Sequence, residues 1–426
     1  MPDPDKAHAS DHGVVHHQPL DAFTQEARAW LYAAGLPARE SGRGETPDTG
    51  WGHGSDAVPI FDDLSEVEHR RRLRETARWH QRKCDAGYGL LTWPVTFGGR
   101  GLPPSYQRAF NKLESRYAVP SAGELVAVSV GLVARTLARF GTEAQRATLL
   151  PPLQRMQQLA CQLFSEPGAG SDLAALSTRA IRDSDGNWTL SGQKVWTSGA
   201  QFADWGLAIA RHDLNQPKHR GLTAFLVPMR APGVAVRPIR QMTGGSSFNE
   251  VFLDEVALDD DLRIGEVGDG WGVAMTTLSY ERDHSAGSTR PLGGSFAQVR
   301  DAAVHFGLDG DPVIRQSLAQ LYIHLRAEQL LNRQVAAARD AGDEPGPAES
   351  LGKLVWSENL TRIGEVAAEI LGPRLAADTG EWGTYAWTEH LLGAPGYRIA
   401  GGSDEIQRNI IGERVLGLAR EQATSP

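Results

Sequence analysis

Hydrophobic periodicity changes twice along this chain and divides it into three parts. Up to about Leu159 the apolar residues recur at helical spacing. Between Leu159 and Leu253 seven short β-type runs follow one another: Leu159–Phe164, Leu176–Arg182, Trp188–Trp196, Gly206–Arg211, Leu222–Val227, Val234–Ile239 and Phe248–Leu253. From about Gly270 helical spacing returns. A βαβ nucleotide fold would alternate strands with helices, whereas here the strands are clustered. Short strands at this spacing, with Asp185-Gly186 as a hairpin turn between two of them, predict a compact barrel or sandwich. The chain is therefore α+β and multidomain. Its expected parts are a disordered tail (1–19), a helical domain (20–157), a middle β domain (158–266) and a C-terminal helical bundle (267–426).

Local signals sharpen the helical parts. A first helix is expected from about Asp21 to Ala34, then a Gly/Pro-rich surface loop from Gly35 to Asp63 and a second helix from about Ser65. Ser65 with Glu68, Ser121 with Glu124 and Thr142 with Gln145 carry the capping-box spacing. Leu125, Val128, Leu132, Val133 and Leu137 line one face of a helix from Glu124 to Phe140, and Gly141 reads as its left-handed stop. Downstream, Asp311-Pro312 opens a long helix to Arg339, and two more run from Ala348 to Leu371 and from Asp404 to Leu418, with Asp404 as the N-cap of the last.

Composition excludes several function classes. No apolar run reaches the 18 residues that a membrane span needs. The net charge is −9 with no basic block, which argues against nucleic acid. The N-terminus lacks the apolar core of a signal peptide, and its His8, His12, His16 and His17 read as part of a polar tail. Cys84 and Cys161 are far apart, have no metal-ligand spacing and fit a reducing cytoplasm, so the protein is expected there without a metal.

Two segments carry the chemistry. Gln162-Leu163-Phe164-Ser165-Glu166-Pro167-Gly168-Ala169-Gly170-Ser171-Asp172 is an apolar run ending in a small-residue turn, where backbone N–H groups can approach a large flat ligand. Gly192-Gln193-Lys194-Val195-Trp196-Thr197-Ser198-Gly199 brings an indole and two hydroxyls to a strand end. The first lacks the GxGxxG spacing of a dinucleotide fingerprint.

Together with Trp93-Pro94-Val95-Thr96-Phe97-Gly98-Gly99 and Gly401-Gly402-Ser403-Asp404-Glu405-Ile406-Gln407-Arg408, these segments resemble four motifs of the acyl-CoA dehydrogenase family, in the family's order. The resemblance covers roughly Asp21 to Arg420. It implies an N-terminal helical domain, a middle β-barrel or sandwich and a C-terminal four-helix bundle, with FAD between β domain and bundle. Residue by residue it assigns Gln162, Ser165, Ser171, Trp196 and Ser198 to the flavin and its ribityl-phosphate chain, Ser171 also to the CoA arm, and Gly402, Ser403 and Glu405 to FAD. It implies an acyl-CoA substrate, electron transfer to an electron-transferring flavoprotein, a role in fatty acid or lipid metabolism, and a homodimer or homotetramer.

Two positions depart from the pattern. Many members place the catalytic glutamate where this chain has Gly401, which carries no carboxyl. Others place it on the first bundle helix before an arginine; the matching pair is Glu281-Arg282, with Ala274, Leu278 and Glu281 on one helical face. Glu281 is accordingly the expected base for the α-proton, and Arg282 the residue that positions it or the CoA arm. Glu166, Asp172, Asp283 and His284 are weaker candidates. The second departure is His305-Phe306-Gly307, where Ala303 replaces an arginine that serves the FAD pyrophosphate; Arg300 and Arg315 are possible substitutes. The leading expectation is oxidation of an acyl-CoA to a trans-2-enoyl-CoA, with hydride passing to the flavin. Two alternatives stay open: a flavin oxidase acting on a carrier-bound or non-CoA substrate, and a non-catalytic subunit of a hetero-oligomeric acyl-CoA dehydrogenase.

Overall fold

The computed structural model describes residues 18–38, 51–52, 56–58, 60–61, 64–121, 124–281, 292–341, 346–347 and 349–420. The tail of 1–17, most of the Gly35–Asp63 loop and the triplet Arg282, Asp283 and His284 lie outside them.

The N-terminal part is helical, as its periodicity predicts. Helix α1 (Leu20–Ala33) buries Phe23, Ala27 and Leu31 at four-residue spacing, against Trp79 of α2 (Glu66–Asp85) and Phe110 of α3 (Pro104–Glu114). Ser65 caps α2 by accepting from the Glu68 N–H. A continuous helical rod follows: α4 (Glu124–Val126), a π-helical segment (Ala127–Val133) and α5 (Ala134–Phe140). The turn that the Ser121–Glu124 capping pair would close, residues 122 and 123, lies outside the described residues. The Thr142–Gln145 capping box forms in full at the start of α6 (Glu143–Gln154). Gln145 then donates to the carbonyls of Asp261 and Arg263, which pins the cap to the β domain.

Gly141 ends α5 for a different reason than expected. Its φ is −68°, an extended conformation open to any residue. A Cβ there would stand 2.5 Å from the Leu137 carbonyl, so close approach, and not a left-handed turn, demands glycine.

The middle domain is one mostly antiparallel sheet: β1 (Ala160–Leu163), β2 (Arg179–Arg182), β3 (Trp188–Ser198), β4 (Trp205–Arg211), β5 (Leu222–Pro228), β6 (Val234–Ile239), β7 (Phe248–Leu258) and β8 (Arg263–Ile264). The order is β6-β7-β3-β2-β4-β5-β8, with β1 parallel to β4. The Asp185-Gly186 hairpin joins β2 to β3. Strands β4 and β5 are buried almost end to end and mostly apolar, Arg211 and Thr223 apart, because both their faces are covered. Ala208, Ala210, Phe225 and Val227 face the sheet's own core, while Leu207, Ile209, Leu222 and Leu226 face α5, α6 and the first C-terminal helix.

The C-terminal part comprises α7 (Gly270–Glu281), α8 (Phe296–His305), α9 (Pro312–Asp340), α10 (Glu349–Leu371), α11 (Ala386–Ile399) and α12 (Asp404–Ile410), with a π turn at Ile411–Val415. Asp311 caps α9 by accepting from the N–H groups of Val313 and Ile314. The last helix is capped by Ser403, not Asp404, and ends earlier than the apolar spacing implies. Helix α11 carries Gly393, Pro395 and Gly396. Its glycines admit Ile60 and Phe61, which a Cβ would meet at 2.9 and 3.0 Å.

Candidate active site

The site is built from the C-terminal ends of β1 and β3, the α4 rod, the ends of α7 and α11 and the start of α12. Gln162 is on β1, paired with Leu207. Ser165 follows it, and its carbonyl accepts from the Val195 N–H at 2.9 Å, which joins the two signature segments. Glu166 and Ala169 then close a tight turn by exchanging backbone hydrogen bonds. A Cβ at Gly168 or Gly170 would meet nothing within 4 Å, so these glycines leave open space above the turn.

Beneath the turn is a buried ion pair between Lys194 and Glu166, one of the weaker candidates for the base. Lys194 is fully buried, and its ammonium donates to Glu166 at 2.8 Å and to the carbonyls of Phe164 and Ile209. Burial pushes the Glu166 carboxyl up, but the Lys194 charge and the hydrogen bonds from Lys194, Thr178 and Ser177 outweigh it and hold the group at about 2. The signal was available: Lys194 falls on the inward register of β3 with Trp188 and Leu190.

Two residues on, the β3–β7 ladder is interrupted between Lys194 and Thr197. Trp196 sits in this bulge at φ +59° and is 61% exposed, its indole edge-on to Phe248. A tryptophan in left-handed backbone is costly, and such outliers concentrate where a ligand is held. Ser198 ends the strand and donates to Glu124 at 2.7 Å, and Tyr397 of α11 donates to the other oxygen of Glu124 at 2.6 Å. One carboxylate thus ties the α4 rod, the sheet and the bundle together. Phe61 stacks on Tyr397 and meets Phe248 edge-on, which continues the aromatic wall towards Trp196.

Glu281 ends α7, one turn beyond the part-buried Leu278 and two beyond the buried Ala274. Its carboxylate lies against Gly401: a Cβ built there would stand 3.4 Å from Glu281 Oε1. The two places at which the resemblance allows a base therefore converge in space. Gly401 and Gly402 have φ of +66° and +88°, and Gln407 holds their carbonyls from α12. Asp404 is buried and accepts from Lys353, Ser357 and Arg398.

The other assigned residues are more peripheral in the single chain. Ser171 is exposed, and its neighbour Asp172 pairs with Lys218 on the surface. Ser403 is spent on its cap, and the Glu405 side chain is 75% exposed, 3.8 Å from Arg408. Arg282 lies outside the described residues. Ala303 is fully buried, so an arginine could not stand there unchanged. Arg300 and Arg315 instead share a surface depression at the start of α9. The open turn at 165–171 and the exposed indole in a strained bulge leave room for a large planar cofactor.

Models of three acyl-CoA dehydrogenase domains match this chain: the N-terminal domain over residues 59–157, the middle domain over 161–256 and the C-terminal domain over 268–416. The chain is 40% identical over 354 residues to acyl-CoA dehydrogenase IpdE1 of Mycobacterium tuberculosis, covering 82% of this chain and 89% of the relative. It is 30% identical over 351 residues to the mitochondrial short-chain specific acyl-CoA dehydrogenase of Homo sapiens, covering 79% and 82%. Among solved structures it resembles the Tcur3481-Tcur3483 steroid ACAD with a TM-score of 0.72 and 25% identity, over 95% of this chain and 99% of that one.

Proposed function

This chain belongs to the acyl-CoA dehydrogenase family, whose members are FAD flavoproteins, and we propose that Glu281 is the base with which it oxidises an acyl-CoA to a trans-2-enoyl-CoA. The observation that carries the reading is the convergence of Glu281 and Gly401. A carboxylate is required at one point beside the flavin, and the side chain of Glu281 reaches the backbone position that in many relatives supplies it. Bound FAD supplies the hydride acceptor. The protein's own part is to hold the ring against Trp196, to place the thioester over it and to take the Cα proton on Glu281. The electrons then pass to an electron-transferring flavoprotein.

The test is direct. Glu281→Gln should purify with its flavin and lose anaerobic bleaching by acyl-CoA by about 10²-fold or more. Normal bleaching in that variant would remove Glu281 from the reaction. A bulky acyl group is favoured by the likeness to a steroid ACAD, and a panel from short straight to polycyclic acyl-CoAs ranks it.

A second reading concerns assembly. Helix α9 exposes Tyr322, Ile323 and Leu330, an apolar set suited to another subunit. The buried Ala303, in the place of an expected FAD-serving arginine, favours an unlike partner over a second copy. A single homogeneous oligomer carrying full flavin when the chain is expressed alone would refute the unlike partner.

A further inference from the structure

We propose that Lys353, held by Asp404, is a positioning residue for Glu281, setting both the place of its carboxyl and the charge that carboxyl meets. The proposal rests on the reading of Glu281 as the base, and it comes from two contacts on one short turn. At one end of the turn Gly401 lies against the Glu281 carboxylate, 3.4 Å from Oε1 to where a Cβ would be. At the other end Asp404 enters α12 and is pinned from two helices. Lys353 and Ser357 of α10 donate to its Oδ1 at 3.2 and 2.8 Å, and Arg398 of α11 donates to its Oδ2 at 2.7 Å. Gln407 holds the carbonyls between them at 2.8 and 3.3 Å. The base thus rests on a turn whose other end is fixed by a buried ammonium.

The ammonium also bears on the base electrically. Lys353 is only 4% exposed. Burial pushes it below the ordinary lysine range, and the Asp404 hydrogen bond, together with the charges of Asp404, Glu281 and Glu405, acts against that. Among the described residues, the same cluster also holds Arg398 from α11, which pairs with Asp404, and Glu358 from α10, which pairs with Arg408 of α12. A cation near a carboxylate favours its charged form, and this is the effect the proposal assigns to Lys353 on Glu281.

The experiment uses the full-length holoprotein labelled with ¹³C at the glutamate carboxyls, with Glu281→Gln assigning the Glu281 resonance. Lys353→Arg keeps the charge and should leave the Glu281 titration midpoint within a few tenths of a unit. Lys353→Gln should move it up by roughly one unit or more. The acidic limb of kcat/KM should move with it, a readout that a merely structural role would leave in place. The coupling is reciprocal. If Lys353→Gln does not fold, the Lys353 side chain is titrated instead, and Glu281→Gln should lower its midpoint by a comparable amount. Unmoved midpoints overturn the proposal while leaving the base reading intact. A Glu281→Gln variant that still dehydrogenates overturns the base reading, whatever the titrations show.

Discussion

Lys194 in the sheet and Lys353 in the bundle are both buried lysines that hold an acid, and they are held differently. The Lys194 ammonium has three donors and three acceptors around it: Glu166 and the carbonyls of Phe164 and Ile209. Glu166 is filled in turn by the N–H groups of Ser177 and Thr178 and the Ser177 hydroxyl. That pair is closed on itself and locks the signature turn to β3. Lys353 shares Asp404 with Ser357 and with Arg398, which is partly in solvent, and its charge reaches Glu281. A closed pair shapes the backbone of the signature turn. An open pair extends its charge to Glu281, the proposed base.

The largest expected effect lies in the closed pair. Lys194→Met strands Glu166 in the interior and should cost about 3–5 kcal/mol in urea unfolding, with loss of flavin as the turn loosens. The pH dependence has a definite sign. Glu166 is held at about 2, below its ordinary 4.5, so its contribution is complete above the ordinary value and is lost as pH falls towards 2. Wild-type stability should decline across that acid window, and Lys194→Met should lose the decline. A variant as stable as wild type would erase the contrast between the two lysines.

Next in size is the clasp between domains. Glu124→Ala leaves the Ser198 and Tyr397 hydroxyls without their acceptor and should cost about 1–3 kcal/mol by thermal unfolding. A loss below about 0.5 kcal/mol would mean that water replaces the carboxylate freely. The smallest effect on stability belongs to the open site. Gly401→Ala places a methyl group beside Glu281 at φ +66° and should cost about 1–2 kcal/mol of backbone strain. Its kcat should fall by more than that loss of stability accounts for. An unchanged kcat would show that contact with Gly401 does not position the base.

Much of the fold could be read from local pattern. The helix–sheet–helix order, the strands with their Asp185-Gly186 hairpin, and the caps at Ser65, Thr142 and Asp311 depend on neighbours within a few residues, which a sequence displays. The positions that local pattern did not show depend on atoms far away in sequence. Gly393 and Gly396 of α11 make room for Ile60 and Phe61. Asp404 looked like a cap because its bonds to Lys353, Ser357 and Arg398 come from other helices. Glu124 takes its partners, Ser198 and Tyr397, from 74 and 273 residues away.

The residue order alone determined that a glutamate ends the first bundle helix and that a glycine stands in the C-terminal motif, because identity and periodicity are properties of the chain. That these two positions meet, with a buried lysine and aspartate behind them, was decided only by tertiary packing. Contacts between α7, α10 and α12 join residues far apart in sequence, and no local spacing encodes such a distance.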